Sequence, residues 1–409
     1  MVNIKKFEVE QWMDAHETWA TYNLAETCCA SISLDDLIAL SNPNAAIKKA
    51  DGGGLLNYTQ KQTYGPIRGS SVLRSRIADF YDTPTVQEGH VLITNGAIQA
   101  NFLTLFTLVK PGDHIIVQYP TYQQLYSVPE SLGADISPWK WKPGERGGGE
   151  GGLDVEELRG LIRSNTKMIV LNNPQNPTGA VLSRDTLEKI VSLARGHNII
   201  IHSDEVYRPL FHSLPAGEES PPSILEMGYE NVIATGSLSK AFSLAGIRIG
   251  WIASPNKDVV EECASCRDYT TISVSQLDDG VAAFALSKPT VQNLLNRNIR
   301  LARDNLTLLA DFVDEYHEVV EWARPQGGTT AFLRFRTKSG EPVDDEDFCK
   351  RLQEKEGVMI VPGSKCFGEN GDFKGYVRVG FVPEHQVMLD GLKALRRFMA
   401  EEYEVHVPR

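Results

Sequence analysis

From Val91 onward the chain alternates between short unbroken apolar runs and stretches whose apolar positions recur every three or four residues. The runs VLIT, HIIVQY, KMIVL, IIIH, VIATG and IRIGWIA have strand length, and each gives way to Gly, Pro, Asn, Asp or Ser. Between them, AIQANFLTLFTLV and LEKIVSLARGHN read as helices. Unbroken strands separated by helices predict a mostly parallel sheet covered on both faces, with ligand chemistry collected beyond the strands' carboxyl ends. After about Ser287 the pattern changes to a long helix (VQNLLNRNIRLARDNLTLLADFVDEYH), strands TAFLRF, VMIVPG and YVRVGF, and a last helix, LDGLKALRRFMAEEY. This predicts a smaller α+β domain. The first 45 residues share neither pattern and are expected to pack with it, which divides the chain into 1–45, 46–287 and 288–409.

Composition narrows the function classes. With 42% hydrophobic and 23% charged residues among 409, the chain is globular rather than disordered, collagenous or coiled coil. A net charge of −12 and the lack of any Lys/Arg cluster argue against a nucleic-acid partner. The most apolar stretch, 97–109, is shorter than the ~18 residues a membrane span needs, and Gln99 and Asn101 interrupt it. Six cysteines in so long a chain, behind an N-terminus with no apolar signal core, point to a reducing, cytoplasmic setting. The glycine-rich stretch Gly144 to Gly152 lacks the Lys-Ser/Thr of a phosphate-binding loop and is expected to be a surface loop. Cys263 and Cys266 lack a second pair or His partners, so no metal site is expected.

Four strand-end segments share the requirements of an aldehyde cofactor with a pyridine ring and a phosphate. In Gly236-Ser237-Leu238-Ser239-Lys240 a strand-end lysine flanked by hydroxyls can form a Schiff base, and Arg248 can clamp a phosphate. His202-Ser203-Asp204-Glu205-Val206-Tyr207 puts a carboxylate where it can pair with a protonated ring nitrogen. Asn172-Asn173-Pro174-Gln175-Asn176-Pro177-Thr178-Gly179 holds Asn176 between two X-Pro steps. Thr94-Asn95-Gly96-Ala97-Ile98 runs a strand into a helix through Gly, leaving N–H groups for an anion. Taken singly, each segment is also compatible with a surface lysine, a cap or a plain turn.

Taken in this order, NPQNPTG, SDEVY and SLSKAFSLAGIRIGW resemble the class I/II aminotransferases, fold-type I pyridoxal 5'-phosphate (PLP) enzymes, from about Tyr58 to Phe381. The resemblance implies a large domain with a mostly parallel seven-stranded sheet, a smaller α+β domain, and PLP as cofactor. It implies Lys240 as Schiff-base lysine and proton shuttle, Asp204 as partner of the ring nitrogen, and Tyr207 and Asn176 as partners of the ring oxygen. Ser237, Ser239, Arg248 and the backbone of Gly96, Ala97 and Ile98 would hold the phosphate, and Tyr122 would stack on the ring. Tyr64 would reach the neighbouring subunit's phosphate in a homodimer with shared sites. Arg378 would take the carboxylate of an amino acid substrate bidentately.

Two segments depart from the family pattern. Tyr22 to Thr27 replaces a short Gly-containing loop over the substrate, and Thr329 and Thr330 stand where many aminotransferases carry an aromatic; the resemblance implies that both segments sit around the substrate side chain. Glu26 is expected to face the substrate side chain and favour cationic or hydroxyl-bearing substrates; its alternative is a solvated residue or a cap on the SLDDLIAL helix. FEVEQWMDAHETWATYNLAET also resembles capreomycidine-synthase-like members, which cyclise an arginine derivative. Transamination leads, with PLP-dependent elimination or cyclisation in specialised metabolism as the alternative. Serine acyl transfer through the SxxK of Ser237 to Lys240 is disfavoured by motif order. A non-catalytic regulator module is disfavoured by the short stretch ahead of the motifs.

Overall fold

Unbroken apolar runs require a sheet buried on both faces. The computed structural model, which describes residues 4–41, 56, 60–142, 152–369 and 371–403, contains such a sheet. Gly144 to Gly151 and Tyr58 lie outside the described residues. In chain order the first strands are β1 (Tyr22–Asn23), β2 (Val91–Thr94), β3 (His114–Tyr119), β4 (Asp135–Lys140) and β5 (Thr166–Asn172). They are followed by β6 (Ile200–Asp204), β7 (Val232–Ser237) and β8 (Gly250–Ala253). Strands β2 to β8 form one seven-stranded sheet in the order β2-β8-β7-β6-β5-β3-β4, in which β8 runs antiparallel to both neighbours and the other pairs are parallel.

Strand β4, DISPWK, has no counterpart among the apolar runs. It is an edge strand with exposed Asp135, Pro138 and Lys140, and an edge tolerates the proline because one row of N–H groups goes unpaired.

The helices that lead into the sheet are α1 (Glu8–His16), α2 (Leu34–Ser41), α3 (Ser71–Ala78) and α4 (Gly96–Leu108). Ile115, Val117, Met168, Val170, Ile233 and Ile252 point to one face and pack with Leu103 and Leu105 of α4 and Val260 of the helix Lys257–Arg267. The alternate residues Ile116, Ile169, Leu171, Ile201 and Ala234 join the second core with Leu187, Ile190 and Val191 of the helix Arg184–His197. Both faces are therefore dry, which is why the runs are unbroken.

The C-terminal part has its own sheet, built from β9 (Val320–Trp322), β10 (Thr330–Phe335), β12 (Val361–Pro362) and β13 (Tyr376–Gly380), antiparallel in the order β12-β13-β10-β9. VMIVPG does not form one strand. It breaks at Ile360, so that β11 (Val358–Met359) pairs with β1 and β12 with β13. From β1 the chain continues as a strap, residues 24–30, tied by Gly380 N–H to Leu24 O, Cys29 N–H to Lys240 O and Ala30 N–H to Val382 O. Among the described residues no helix is long and apolar enough to cross a membrane.

Candidate active site

Strands β2, β3, β5, β6 and β7 end at one edge of the sheet, and β8 begins there because it runs the other way. At that edge β2 turns into α4 through Gly96, whose φ of 74° lies in the left-handed region and whose Cβ would come 2.7 Å from Arg248 Nη2. A Cβ on Gly250 would lie 2.6 Å from Ala97 N and 2.3 Å from the Gly96 carbonyl carbon. Only glycines let these backbones meet. The first N–H groups of α4 have no partner within the helix. Beside them, Ser237 Oγ accepts from Ser239 N–H at 3.2 Å, and Arg248 donates to Ala245 O at 2.8 Å. Serine hydroxyls, free N–H groups and a guanidinium make a cradle for a phosphate.

At the end of β6, Asp204 is 3% exposed and accepts from Asn101 Nδ2 at 2.8 Å and Val206 N–H at 3.2 Å. Burial pushes its carboxyl up to about 6, against those two hydrogen bonds. A buried carboxylate without a hydrogen-bonded cation is suited to a positively charged ring N–H. The loop after β5 is pinned to it: Asn172 Nδ2 donates to Asp204 O at 3.0 Å, and Asn172 Oδ1 accepts from Asn176 N–H at 2.7 Å. Asn176 Oδ1 in turn accepts from Arg378 Nη1 at 3.3 Å, and Arg378 Nη2 donates to Ala25 O of the strap at 2.8 Å. Arg378 Nε is buried without a protein partner, which leaves the guanidinium capacity for an anion. Tyr122 donates to Glu10 Oε1 of α1 at 2.7 Å, with its ring centroid 4.8 Å from that of Phe7.

Lys240 Nζ lies 2.7 Å from Thr27 Oγ1, 3.4 Å from Cys28 Sγ and 3.8 Å from Glu26 Oε1. Burial works against its charge, yet Cys28, Tyr207 and Glu26 raise the amine above its ordinary range. Burial pushes the Cys28 thiol up to about 11, so Glu26 is the anion that matters at neutral pH. Glu26 is held down at about 2, despite its own burial, by Lys240 and by the N–H groups of Cys28 and Thr27 that its Oε1 accepts at 2.9 and 2.6 Å.

A cavity of about 690 Å3 is lined by Glu26, Ala97, Ile98, Tyr122, Asn176, Asp204, Tyr207, Ser237, Ser239, Lys240, Arg248 and Arg378. Gly96 borders it through Arg248. Tyr64 does not join it and is 77% exposed. A larger cleft of about 1060 Å3, lined by Trp141, Gln175, Thr178, Trp322 and Arg324 among others, contains none of the expected residues. Sequence reasoning missed Thr27, Cys28, Asn101, Asn172 and Glu10. The only signal for Asn101 was a polar residue inside an apolar helix.

Two expectations are corrected. Glu26 does not cap α2, where Ser33 Oγ accepts from Asp36 N–H at 3.0 Å. Thr329 and Thr330 are buried and do not line the cavity; Thr329 Oγ1 donates to Thr27 O at 2.8 Å and so anchors the strap from behind. Among the described residues no group of three His, Cys, Asp or Glu is gathered as for a metal ion.

Residues 38–395 match the family described as aminotransferase class I and II. The chain belongs to that family. It is 39% identical to a PLP-dependent aminotransferase from Streptococcus suis 89-1591, with 99% of this chain and 100% of that one covered and a TM-score of 0.85. It is 31% identical to capreomycidine synthase of Streptomyces vinaceus over 84% of this chain and 81% of the relative. It is 29% identical to a probable N-acetyl-LL-diaminopimelate aminotransferase of Bacillus subtilis, over 91% and 89%. The chain has the α/β fold of type I PLP enzymes, and its cofactor is PLP. The cavity fits that cofactor: a glycine-walled anion cradle, a buried carboxylate for the ring nitrogen and a lysine amine share one space.

Proposed function

We propose that this enzyme moves the α-amino group of an amino acid to a 2-oxo acid, with the residues acting as follows. Bound PLP supplies an aldehyde for the amine and an electron-withdrawing ring. Lys240 would hold the cofactor covalently until the substrate amine takes its place, and the freed Nζ would then take and return the proton of the substrate Cα. Asp204 keeps a proton on the ring nitrogen. Tyr207 and Asn176 orient the ring oxygen, and Tyr122 covers the ring face. Gly96, Ala97, Ile98, Ser237, Ser239 and Arg248 grip the phosphate, and Arg378 orients the substrate carboxylate. The observation that carries this reading is the convergence of Lys240, Asp204 and Arg378 on one cavity.

A second reading, elimination or cyclisation, is favoured by one observation: Glu26, an ionised carboxylate, stands 3.8 Å from the amine of Lys240. It would favour a cationic or hydroxyl-bearing side chain and repel acidic ones. A panel of amino acids including arginine, lysine, serine, aspartate and glutamate, incubated with and without a 2-oxo acid and read by mass spectrometry, separates the two. Transamination requires the 2-oxo acid and yields a new amino acid from it. Turnover without an acceptor, with loss of a side-chain group or ring closure, is the outcome of the second reading.

We also read residues 46–287 as the cofactor-holding domain and 288–409, joined by 1–45, as the smaller one. The separate sheets and the β1–β11 pairing support this. A homodimer is supported by the exposed Tyr64, Ile67, Ile98, Phe102 and Phe106, an apolar set unusual for a free surface. All six cysteines are free thiols, in keeping with a cytoplasmic location.

A further inference from the structure

Beside Asp204, three more polar side chains are buried and linked in line to its carboxylate. Asp204 and Thr235 are direct neighbours on β6 and β7, and His202 lies two residues earlier on β6, so all three side chains project from the same face of the sheet. Helix α4 crosses that face and contributes Asn101. Asn101 Nδ2 is 2.8 Å from Asp204 Oδ2, Thr235 Oγ1 is 2.6 Å from Asn101 Oδ1, and His202 Nε2 is 3.3 Å from Thr235 Oγ1. All four residues are at least nine-tenths buried, and the layer on that face is apolar, mostly Leu, Val, Ile and Ala with Met168 and Cys263.

The direction of every bond in this line follows from one charge. An ionised Asp204 can only accept, so Asn101 must turn its amide nitrogen toward it and its oxygen toward Thr235. The Thr235 hydroxyl has one proton and must give it to that oxygen. Toward His202 it can therefore only accept, which places the imidazole proton on Nε2. Burial holds His202 neutral, with its pKa down at about 3, so one ring proton is all it has, and Nδ1 is left as a buried acceptor without a partner. Donation runs one way, from His202 to Asp204, and each bond polarises the next. A protonated Asp204 would remove the reason for that order.

We propose that His202, Thr235 and Asn101 form a one-way hydrogen-bond relay that keeps Asp204 ionised and thereby sets the proton affinity the site offers a pyridine nitrogen. The proposal rests on the reading of this cavity as the PLP site, and all three are positioning residues acting through Asp204. The ionisable groups facing Asp204 are Lys240, which favours its charge, Glu205, which opposes it, and the phenols Tyr122 and Tyr207, neutral near pH 7. None of these belongs to the relay, so substitutions in the relay leave them in place.

The test is the titration of the Asp204 carboxyl in cofactor-free protein, isolated as the infrared difference between each protein and its Asp204→Asn counterpart. Thr235→Val keeps the shape and loses the hydroxyl, which frees the Asn101 amide to turn its oxygen toward the carboxylate. Its midpoint is expected to rise by about one pH unit. Thr235→Ser keeps the hydroxyl and loses the methyl, and is expected to titrate with the wild type. Equal midpoints in wild type and Thr235→Val, or an equal shift in Val and Ser variants, would overturn the relay. If Thr235→Val does not fold, Asn101→Leu removes the last donor, and an unmoved midpoint there would overturn it as well. Borohydride reduction of the loaded wild type, followed by peptide mapping, tests the cofactor reading separately. Label on a lysine other than Lys240 would sink that reading while leaving the titration result in force.

Discussion

The two ends of the cavity are built by different means. The proposed phosphate end is made of backbone, two serine hydroxyls and one guanidinium at the edge of one sheet: Gly96, Ala97, Ser237, Ser239, Arg248 and Gly250. Its geometry is set by contacts so close that no Cβ fits at Gly250. The proposed substrate end joins pieces from three distant parts of the chain, with Arg378 on β13 donating to Ala25 O, Thr329 beside β10 donating to Thr27 O, and Glu26 to Cys28 close to the amine of Lys240. The first end can hold one cofactor with little freedom to vary, whereas the second can change by substitution in the strap without disturbing the first.

The strongest blow to the phosphate end is Gly250→Ala. The new methyl would lie 2.3 Å from a backbone carbon of Gly96, and overpacking of this kind costs about 1–3 kcal/mol, or roughly a 5- to 150-fold loss of PLP affinity. Fluorescence titration of the cofactor-free protein measures it. Unchanged affinity would mean that the cradle is softer than its contacts imply.

Asp204→Asn sharpens the boundary between the ends through pH. The Asp204 carboxyl titrates at about 6 when folded, above its ordinary 3.8, so the cofactor-free fold bears no penalty for it below pH 3.8. The penalty grows as pH rises from 3.8 to 6 and is complete above that range. Asparagine escapes it. The cofactor-free variant is expected to be more stable than wild type by up to ~3 kcal/mol at pH 8, with the gap closing toward pH 4. Calorimetry across that range, on protein that stays folded, checks both sign and window. A gap that widens at low pH would contradict the burial of an anion.

The smallest effect belongs to Thr329→Val, which leaves the Thr27 carbonyl without its donor at a cost of about 1 kcal/mol. If the two ends are separable, kcat/KM falls about fivefold while PLP affinity stays within about twofold. A parallel loss of affinity would show that the strap also supports the cradle.

This contrast also explains what could be read in the sequence. That Ala97, Ile98, Asn176, Asp204, Ser237, Ser239 and Lys240 meet at one cavity was legible because each sits in a few contiguous residues at a strand's end, where backbone geometry and residue type vary together. Asn101 was not, because its partner Asp204 is 103 positions away and nothing local links a polar residue in an apolar helix to a carboxylate on β6. Thr27 and Cys28 reach Lys240 only after β1 has paired with β11 and the strap has been tied to β13. Thr329 was expected around the substrate side chain and instead holds the strap, since sequence order shows which segment passes the cavity and not which of its faces looks inward. Strand β4 escaped because an edge position does not demand apolar residues.

Helix α4 serves the cavity and the outside of the molecule at once. Its first turn and Asn101 belong to the site, while Ile98, Phe102 and Phe106 form an exposed row, the last two with stacked rings 5.5 Å apart. In the proposed homodimer a second copy seated on that row would restrain the backbone proposed to grip the phosphate, and linkage would make the influence mutual: whatever factor association adds to cofactor affinity, the cofactor returns to association. The occupancy of the cavity would then follow mass action on the protein itself, and dilution alone would be a way to empty it.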